Sequence, residues 1–238
     1  GWVDLYSALA RSSNVYFYEV GGGYRDQKGL GIERLKKYWQ KLGLGEKTGI
    51  DLPSESEGFL PDDKLKEKNS GDIWRIGDTY NVTIGQGDLL ITPIQLINYI
   101  SAIANGGKIH KPFIIQKIVS EDGKIIKETS PEILKDYSSD IDIIKKVQMG
   151  MMDGVQKPYG TAHLLADLPF SIASKTGSAQ IESKTKVNAF FVGFTPADNP
   201  RLAILILIED AREGSMNTVP VAKDVLKWYY ENRINKNN

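Results

Sequence analysis

The sequence contains no cysteine. Disulfides and thiolate metal sites are therefore excluded, while the redox compartment stays unread, because an extracytoplasmic chain can do without disulfides. Histidine is almost as scarce. His110 and His163 are the only two, they lack metal-ligand spacing, and neither a metal site nor histidine catalysis is expected. A surplus of charge is missing too: Lys plus Arg total 30 and Asp plus Glu total 30. Phosphate binding needs a basic excess on some face, so no nucleic-acid partner is expected. Blocks of one sign are absent, which argues against a charged tail. No run approaches the ~18 apolar residues that span a bilayer. The most apolar stretch, Leu202 to Ile208, is strand-length. No signal peptide, internal repeat or low-complexity tract is visible.

What is present fits one large globular domain or two small ones: 238 residues, 41% hydrophobic and 25% charged, enough to bury a full core. The opening residues, Gly1-Trp2-Val3-Asp4-Leu5, have no initiator methionine and run straight into a helical pattern. They suggest a chain cut from something longer.

Asp4 is placed to cap a helix with Leu5, Ala8 and Leu9 on one face. The pattern breaks at Ser12-Ser13-Asn14, resumes at Val15 to Tyr18 and ends at Gly21-Gly22-Gly23. Ile32, Leu35, Trp39 and Leu42 form a further helical stripe with Gly43 as its cap. Residues 43–85 read as one long connector with little periodicity, in which Glu55 and Glu57 look solvated and Asp78 sits in a turn. Thr92-Pro93-Ile94-Gln95 is a capping box for a helix to Ala104, stopped by Asn105-Gly106-Gly107. A hairpin over 113–128 turns at Glu121 to Lys124, and a helix over 140–153 carries Ile144, Val147 and Met151. Three strands follow, at Ser171 to Ile181, Val187 to Thr195 and Leu202 to Glu209. The third is apolar throughout, so it is expected to be covered on both faces. A last helix from about Val219 to Tyr230 has Pro220 in its first turn. Trp39, Trp74 and Trp228 read as packing residues. The fold class is mixed α/β (α+β), an antiparallel sheet flanked by helices, with residues 1–170 mostly helical and 171–238 forming the sheet and C-terminal helix of one domain over 1–238.

Two short motifs carry chemistry: Ser12-Ser13-Asn14, an S-x-N, and Lys175-Thr176-Gly177-Ser178. Beside an S-x-x-K, such elements mark serine β-lactamases and penicillin-binding proteins. A site that transfers the acyl group of a peptide ending in a carboxylate needs a cation and hydroxyl donors. Lys175 supplies the charge, and Thr176 and Ser178 supply hydroxyls. Gly177 lets a substrate backbone lie close to the strand edge. The Ser178 N–H can face a developing oxyanion, Ser12 can relay a proton to the leaving amine, and Asn14 can hold a substrate amide. Each motif alone is weak. Ser-Ser-Asn is common turn chemistry, and a second Lys-Thr-Gly occurs at Lys47-Thr48-Gly49. That copy reads as a decoy, since Gly43, Gly45 and Pro53 surround it and no strand precedes it.

The wider sequence resembles class B penicillin-binding proteins along nearly its whole length. Ala8 to Tyr18 is similar to the segment around their second motif, and Gly43 to Pro53 to their connector. Ile84-Gly85-Gln86-Gly87, then Thr92 to Leu96 and Ala104 to Gly107, resembles the elongation-type members, often named penicillin-binding protein 2. Lys175 to Gln180, Ala189 to Phe194 and Pro196-Ala197 resemble the third motif and the strand after it, with Ser178 in place of the usual threonine. The resemblance implies a serine-type D-Ala-D-Ala transpeptidase that cross-links peptidoglycan stem peptides through an acyl-serine intermediate and is the target of β-lactams. It implies catalytic roles for Ser12, Asn14 and Lys175, substrate binding by Thr176, Gly177 and Ser178, and no cofactor or metal. It also implies work at the extracytoplasmic face of the bacterial cytoplasmic membrane, through an anchor upstream, beside a glycan polymerase and shape-determining scaffold proteins. The family's S-x-x-K lies upstream of the S-x-N, and only eleven residues precede Ser12. The one S-x-x-K here, Ser183-Lys184-Thr185-Lys186, falls in a polar hairpin loop and reads as chance, so the nucleophile is expected outside this sequence. Two other readings stay open. A β-lactamase or β-lactam sensor of the same fold would, in the class A enzymes, use a glutamate, for which no Glu-x-x-Leu-Asn is present. A non-catalytic binding domain would lack the S-x-x-K altogether.

Overall fold

The computed structural model describes residues 2–181 and 186–235. Helix α1 (Leu5–Arg11) opens on Asp4, whose carboxylate accepts the Ser7 N–H at 2.8 Å in a reciprocal capping box. Helix α2 (Asn14–Gly22) follows after a two-residue break and leads into a small ribbon of β1 (Gly23–Tyr24) and β2 (Gln27–Lys28). Helix α3 (Gly31–Lys41) buries Ile32 and Leu35.

The connector holds more order than its composition suggests. Two helices lie in it, α4 (Asp63–Ser70) and α5 (Ile76–Thr83). α4 reads Asp-Lys-Leu-Lys-Glu-Lys-Asn-Ser and buries no residue, so no apolar period marks it. It exists because Asp62 caps its start, accepting from Leu65 N at 2.7 Å, and Gly71 ends it in the left-handed region. In α5 Asp78 is a first-turn helical residue rather than a turn residue: it accepts the Arg75 N–H and pairs with Lys66, each at 2.7 Å.

Helix α6 (Pro93–Ala104) begins at the Thr92 capping box. Its Gln95 is almost fully buried, and its amide donates to the carbonyls of Glu46 and Glu57, each at 2.8 Å, which ties the connector to the helix. Strands β3 (Lys108–His110) and β6 (Ile133–Asp136) pair with each other, and between them β4 (Lys117–Val119) and β5 (Ile125–Glu128) form the expected hairpin. The part before residue 170 thus adds three two-stranded ribbons to its helices. Helix α7 (Ile141–Gln156) precedes the main sheet.

That sheet is an antiparallel meander in chain order, β7 (Ala173–Gln180), β8 (Val187–Thr195) and β9 (Leu202–Ala211). The period of two sorts its side chains into two cores. On one face Phe191 meets Val219, Ala222 and Leu226 of α8 (Gly214–Tyr229), with Leu202, Ile204 and Ile206 alongside. On the other, Val192 and Phe194 meet Ile100, Ala104 and Met151 of α6 and α7, with Ala203 and Leu205 alongside. Each large apolar side chain buried this way contributes about 1.5–3 kcal/mol. β9 therefore packs on both faces, as its apolar run predicts, yet Leu202 to Ile208 are only half-buried because β9 stands at the margin of the sheet.

Helix α8 starts five residues earlier than its periodicity suggests, and Pro220 lies inside it, not in its first turn. Gly214 to Thr218 carry no apolar stripe. Their start is set by side chains: Asn217 Oδ1 accepts the Arg212 and Glu213 amides, and Thr218 Oγ1 donates to the Gly214 carbonyl at 2.6 Å. Pro220 removes one helical hydrogen bond, and the packing of Val219, Ala222 and Leu226 carries the helix through it. Trp228, in contrast to the packing role expected, is 55% exposed.

Candidate active site

The S-x-N turn takes its shape from the end of α1. Ser12 lies in the left-handed region at φ 54° and ψ 49°. The Ser13 N–H donates to Ala8 O at 2.9 Å and the Ser12 N–H to Leu9 O at 3.2 Å, the paired bonds of a Schellman motif with Ser12 in the position usually held by glycine. Ser13 then caps α2, its hydroxyl accepting from Tyr16 N. The side chain of Ser13 thus does the capping, while that of Ser12 is left for Lys175.

Small residues on α7 bring that turn to the sheet. A side chain at Gly150 would run into Leu9, and one at Gly154 would stand 3.2 Å from Ser174 O and 3.9 Å from Ala10 Cα. The glycine pair, one turn apart, lets α1 and β7 approach the same helix. The result is a hydrogen bond of 2.7 Å from Lys175 Nζ to Ser12 Oγ, across 163 positions. Lys175 Nζ also donates to Thr176 O.

The rest of the motif divides by strand geometry. Thr176 is buried, and its Oγ1 donates to Thr161 Oγ1 at 2.8 Å. Thr161 is itself fixed to α1, its N–H donating to Ala10 O at 3.1 Å, while Arg11 stacks 3.9 Å over the ring of Tyr159. Thr161 therefore joins both motifs, and sequence reasoning missed it; its only mark was the glycine turn Gly160-Thr161. Ser178 Oγ accepts the Gly214 N–H at the start of α8 at 2.8 Å. With its lone pair engaged, the hydroxyl proton is left to donate to a ligand. Asn14 is exposed, and its side chain has no hydrogen-bond partner among the described residues. Of the expected catalytic residues, then, Ser12 and Lys175 meet directly, and Asn14 does not join them.

The other Lys-Thr-Gly has a different fate. Thr48 N and Oγ1 and Gly49 N all donate to the Glu55 carboxylate within the connector. Burial works to raise the Glu55 pKa, but these hydrogen bonds outweigh it and hold the carboxyl below its usual value. Glu55 is thus a structural anchor, not the solvated loop carboxylate expected. A hollow of about 390 Å³ beside Gly49, lined also by Lys111, Phe113 and Ile118, includes neither Ser12 nor Lys175. Ser183, Lys184 and Thr185 of the lone S-x-x-K lie outside the described residues. Lys186 is described, 3.5 Å from Asp210.

A serine hydroxyl held by a desolvated lysine, with a Lys-Thr-Gly-Ser strand edge beside it, is the arrangement expected of an acyl-transfer site. The family model for the penicillin-binding protein transpeptidase domain matches residues 1–227. The chain belongs to that family. Among relatives of this transpeptidase family, the Haemophilus influenzae peptidoglycan D,D-transpeptidase MrdA is 30% identical, over 98% of this chain and 37% of its own length. A structure of the penicillin-binding protein PBP2 of Pseudomonas aeruginosa in complex with WCK 5153 superimposes with a TM-score of 0.81 at 31% identity, covering 98% of this chain and 48% of that one. The Helicobacter pylori PBP2, solved in a complex with MreC, gives 0.79 at 33% identity, over 98% of this chain and 41% of that one. The chain thus spans less than half the length of each of these three proteins.

In this transpeptidase domain the electrostatics of Lys175 set a pH window. Burial pushes its pKa down from the ordinary lysine value to about 8. The ammonium is charged below that pH and neutral above it, so its attraction for any anion is present below about pH 8 and lost as pH rises through it. If Lys175 binds a ligand carboxylate, KM for a carboxylate-ended ligand in the full-length wild-type protein should therefore climb above pH 8. In Lys175→Arg, whose guanidinium stays charged, that climb should vanish. A wild-type KM that stays flat to pH 10 would contradict the shift. The folded state also binds fewer protons than the unfolded one between about pH 8 and the unfolded lysine value of roughly 10.4, so this group's contribution to stability rises with pH there.

Proposed function

We propose that this chain forms part of the active site of a peptidoglycan D,D-transpeptidase, which cross-links stem peptides through an acyl-serine and is acylated by β-lactams. The observation that carries the reading is the 2.7 Å contact between Lys175 Nζ and Ser12 Oγ. In this reading the two parts, 1–170 and 171–238, supply opposite walls of one cleft. A nucleophilic serine of an S-x-x-K outside these residues attacks the carbonyl of the penultimate D-alanine. The N–H of Ser178 faces the developing oxyanion. Collapse of the intermediate breaks the C–N bond, and Ser12 passes a proton to the departing amine. Lys175 orients the Ser12 hydroxyl and attracts the terminal carboxylate, which the Ser178 hydroxyl also binds, while the buried Thr176–Thr161 pair fixes that stretch of strand. Asn14 holds the substrate amide once the substrate is in place. An amine of a second stem peptide then attacks the ester, forms the cross-link and releases the serine. A lysine with a pKa near 8 suits proton relay at ordinary pH.

The reading also places the protein at the extracytoplasmic face of the cytoplasmic membrane. Among the described residues no helix is long and apolar enough to cross a membrane, so an anchor would have to lie elsewhere. A scaffold partner is supported by the H. pylori PBP2 solved with MreC, and a glycan polymerase would supply the strands to be joined.

Incubation with labelled penicillin tests the proposal. By intact-mass spectrometry the 238-residue chain should form no stable adduct, because in this reading Ser12 and Lys175 serve proton relay and binding and the nucleophilic serine of the S-x-x-K lies outside these residues. The full-length protein should form one equivalent, mapped to an S-x-x-K serine. A stoichiometric adduct on any serine of the 238-residue chain would overturn the assignment of roles.

A further inference from the structure

Strand β7 lies at the other margin of the sheet from β9, so one row of its backbone groups is unpaired by sheet. In an antiparallel strand the N–H and C=O of one residue point to the same side, and sides alternate. Thr176 O takes the Lys175 ammonium and Ser178 O takes a bond from outside the sheet, so the even-numbered residues face the free edge. An unpaired edge of this kind is where an extended peptide adds as a new strand.

Beyond Ser178 that edge is occupied. Gln86 Nε2 donates to Ser178 O at 2.7 Å, and Gln86 Oε1 accepts the Gln180 N–H at 3.0 Å. One side-chain carboxamide makes the two bonds that a peptide unit of a docked strand would make. Gln86 reaches there from the end of α5. Its own N–H donates to Asn81 O at 2.9 Å, and it stands between Gly85 and Gly87, at φ 77° and 70°. Those glycines turn the chain sharply on each side of Gln86. Helix α5 is in turn locked to α2, where the Tyr80 hydroxyl donates to Gly23 O at 2.9 Å and a side chain at Gly22 would strike the Tyr80 ring. The edge is therefore bridged twice to the helical side, by Lys175 to Ser12 and by Gln86 at Ser178 and Gln180. Between the bridges the Ser178 N–H is, among the described residues, the backbone group left open, beside side-chain-free Gly177.

We propose that Gln86 is a specificity-determining residue: its carboxamide holds the far end of the β7 edge closed, so an extended donor peptide pairs beyond Ser178 only by displacing it. The inference rests on the transpeptidase reading for its substrate, a peptide ending in D-Ala-D-Ala. Compact acylating agents, which make few bonds to the edge, should feel Gln86 less than longer peptides do.

The test uses the full-length protein with Gln86→Ala and Gln86→Glu. Glutamate keeps an acceptor for Gln180 N but sets a carboxylate against Ser178 O. For an extended D-Ala-D-Ala peptide, KM should fall on the order of tenfold in Gln86→Ala, as freed edge groups gain peptide partners. It should fall in Gln86→Glu as well, with kcat little changed and acylation by penicillin changing far less than the peptide KM. If Gln86→Ala melts too early to assay, Gln86→Glu carries the test alone. A KM unchanged or raised, or a parallel loss of kcat and penicillin acylation, would reduce Gln86 to a structural clamp and overturn the proposal. If wild-type protein is not acylated by penicillin, the transpeptidase reading fails instead, and titration of the extended peptide against wild type and both variants still decides whether Gln86 guards the edge.

Discussion

Ser12→Gly in the full-length protein is expected to slow acylation by roughly two to four orders of magnitude, the range of general acid–base catalysis, without loss of stability. The two effects separate because Ser12 does two unrelated things. Its backbone sits at φ 54° and ψ 49° in the glycine position of a Schellman motif, where a Cβ costs about 1–2 kcal/mol. Its side chain is the partner of Lys175. Glycine relieves the first and deletes the second, so the melting temperature should hold or rise while the rate collapses. Strain tolerated at one residue whose side chain meets a desolvated lysine is the pattern of a functional site. A variant that melts earlier yet acylates at the wild-type rate would show that Ser12 is a turn residue and nothing more.

The second large effect is expected at Gly214, which no motif marks. A Cβ there would lie 2.2 Å from Gly177 O and 2.7 Å from Ser178 Oγ. The strand cannot easily yield, because Gly177 pairs with Phe190 and Ser178 with Ala189. The helix cannot either, since Thr218 ties the Gly214 carbonyl to its first turn. Gly214→Ala should therefore cost on the order of 2–3 kcal/mol through overpacking. It should also lower acylation by roughly 100-fold, since a shift near 1 Å in a positioned group is enough for that. Thermal melts and penicillin-adduct rates read the two losses. Wild-type behaviour in both would mean that α8 does not position the Lys-Thr-Gly edge.

The sequence made some of this legible and hid the rest for physical reasons. The meander was readable because β8 and β9 are largely apolar and all three strands are closely spaced and joined by short connections, which force neighbours to pair antiparallel. The Thr92 box and the Asp4 cap were readable because capping is local chemistry. Helices α4 and α8 show the limit. α4 buries nothing, so it has no apolar period, and the start of α8 is written in side-chain bonds from Asn217 and Thr218. At the site, Ser12 and Lys175 could be named from residue types, but what joins them could not. Gly150 and Gly154 let two elements share one helix, Thr161 ties both motifs together, and Gln86 covers the strand edge. Each acts through a contact between residues far apart in the chain, which a linear pattern does not reveal. The decoy at Lys47 was readable from its glycine-rich surroundings, though its anchor, Glu55, looked solvated.

Two Lys-Thr-Gly sequences in one chain allow the most direct test of the central claim, that Ser12 and the strand copy form one site. The measurement is the rate of penicillin adduct formation, by intact mass, on full-length Lys175→Ala and Lys47→Ala. Lys175 sits on β7 with its ammonium on Ser12 Oγ. Lys47 belongs to a loop whose Thr48 and Gly49 are held by Glu55. Lys175→Ala should slow acylation at least about 100-fold, the cost of losing one preorganised charged group in a desolvated site. Lys47→Ala should acylate like the wild type. Normal acylation of Lys175→Ala, or a comparable loss in Lys47→Ala, would contradict the account.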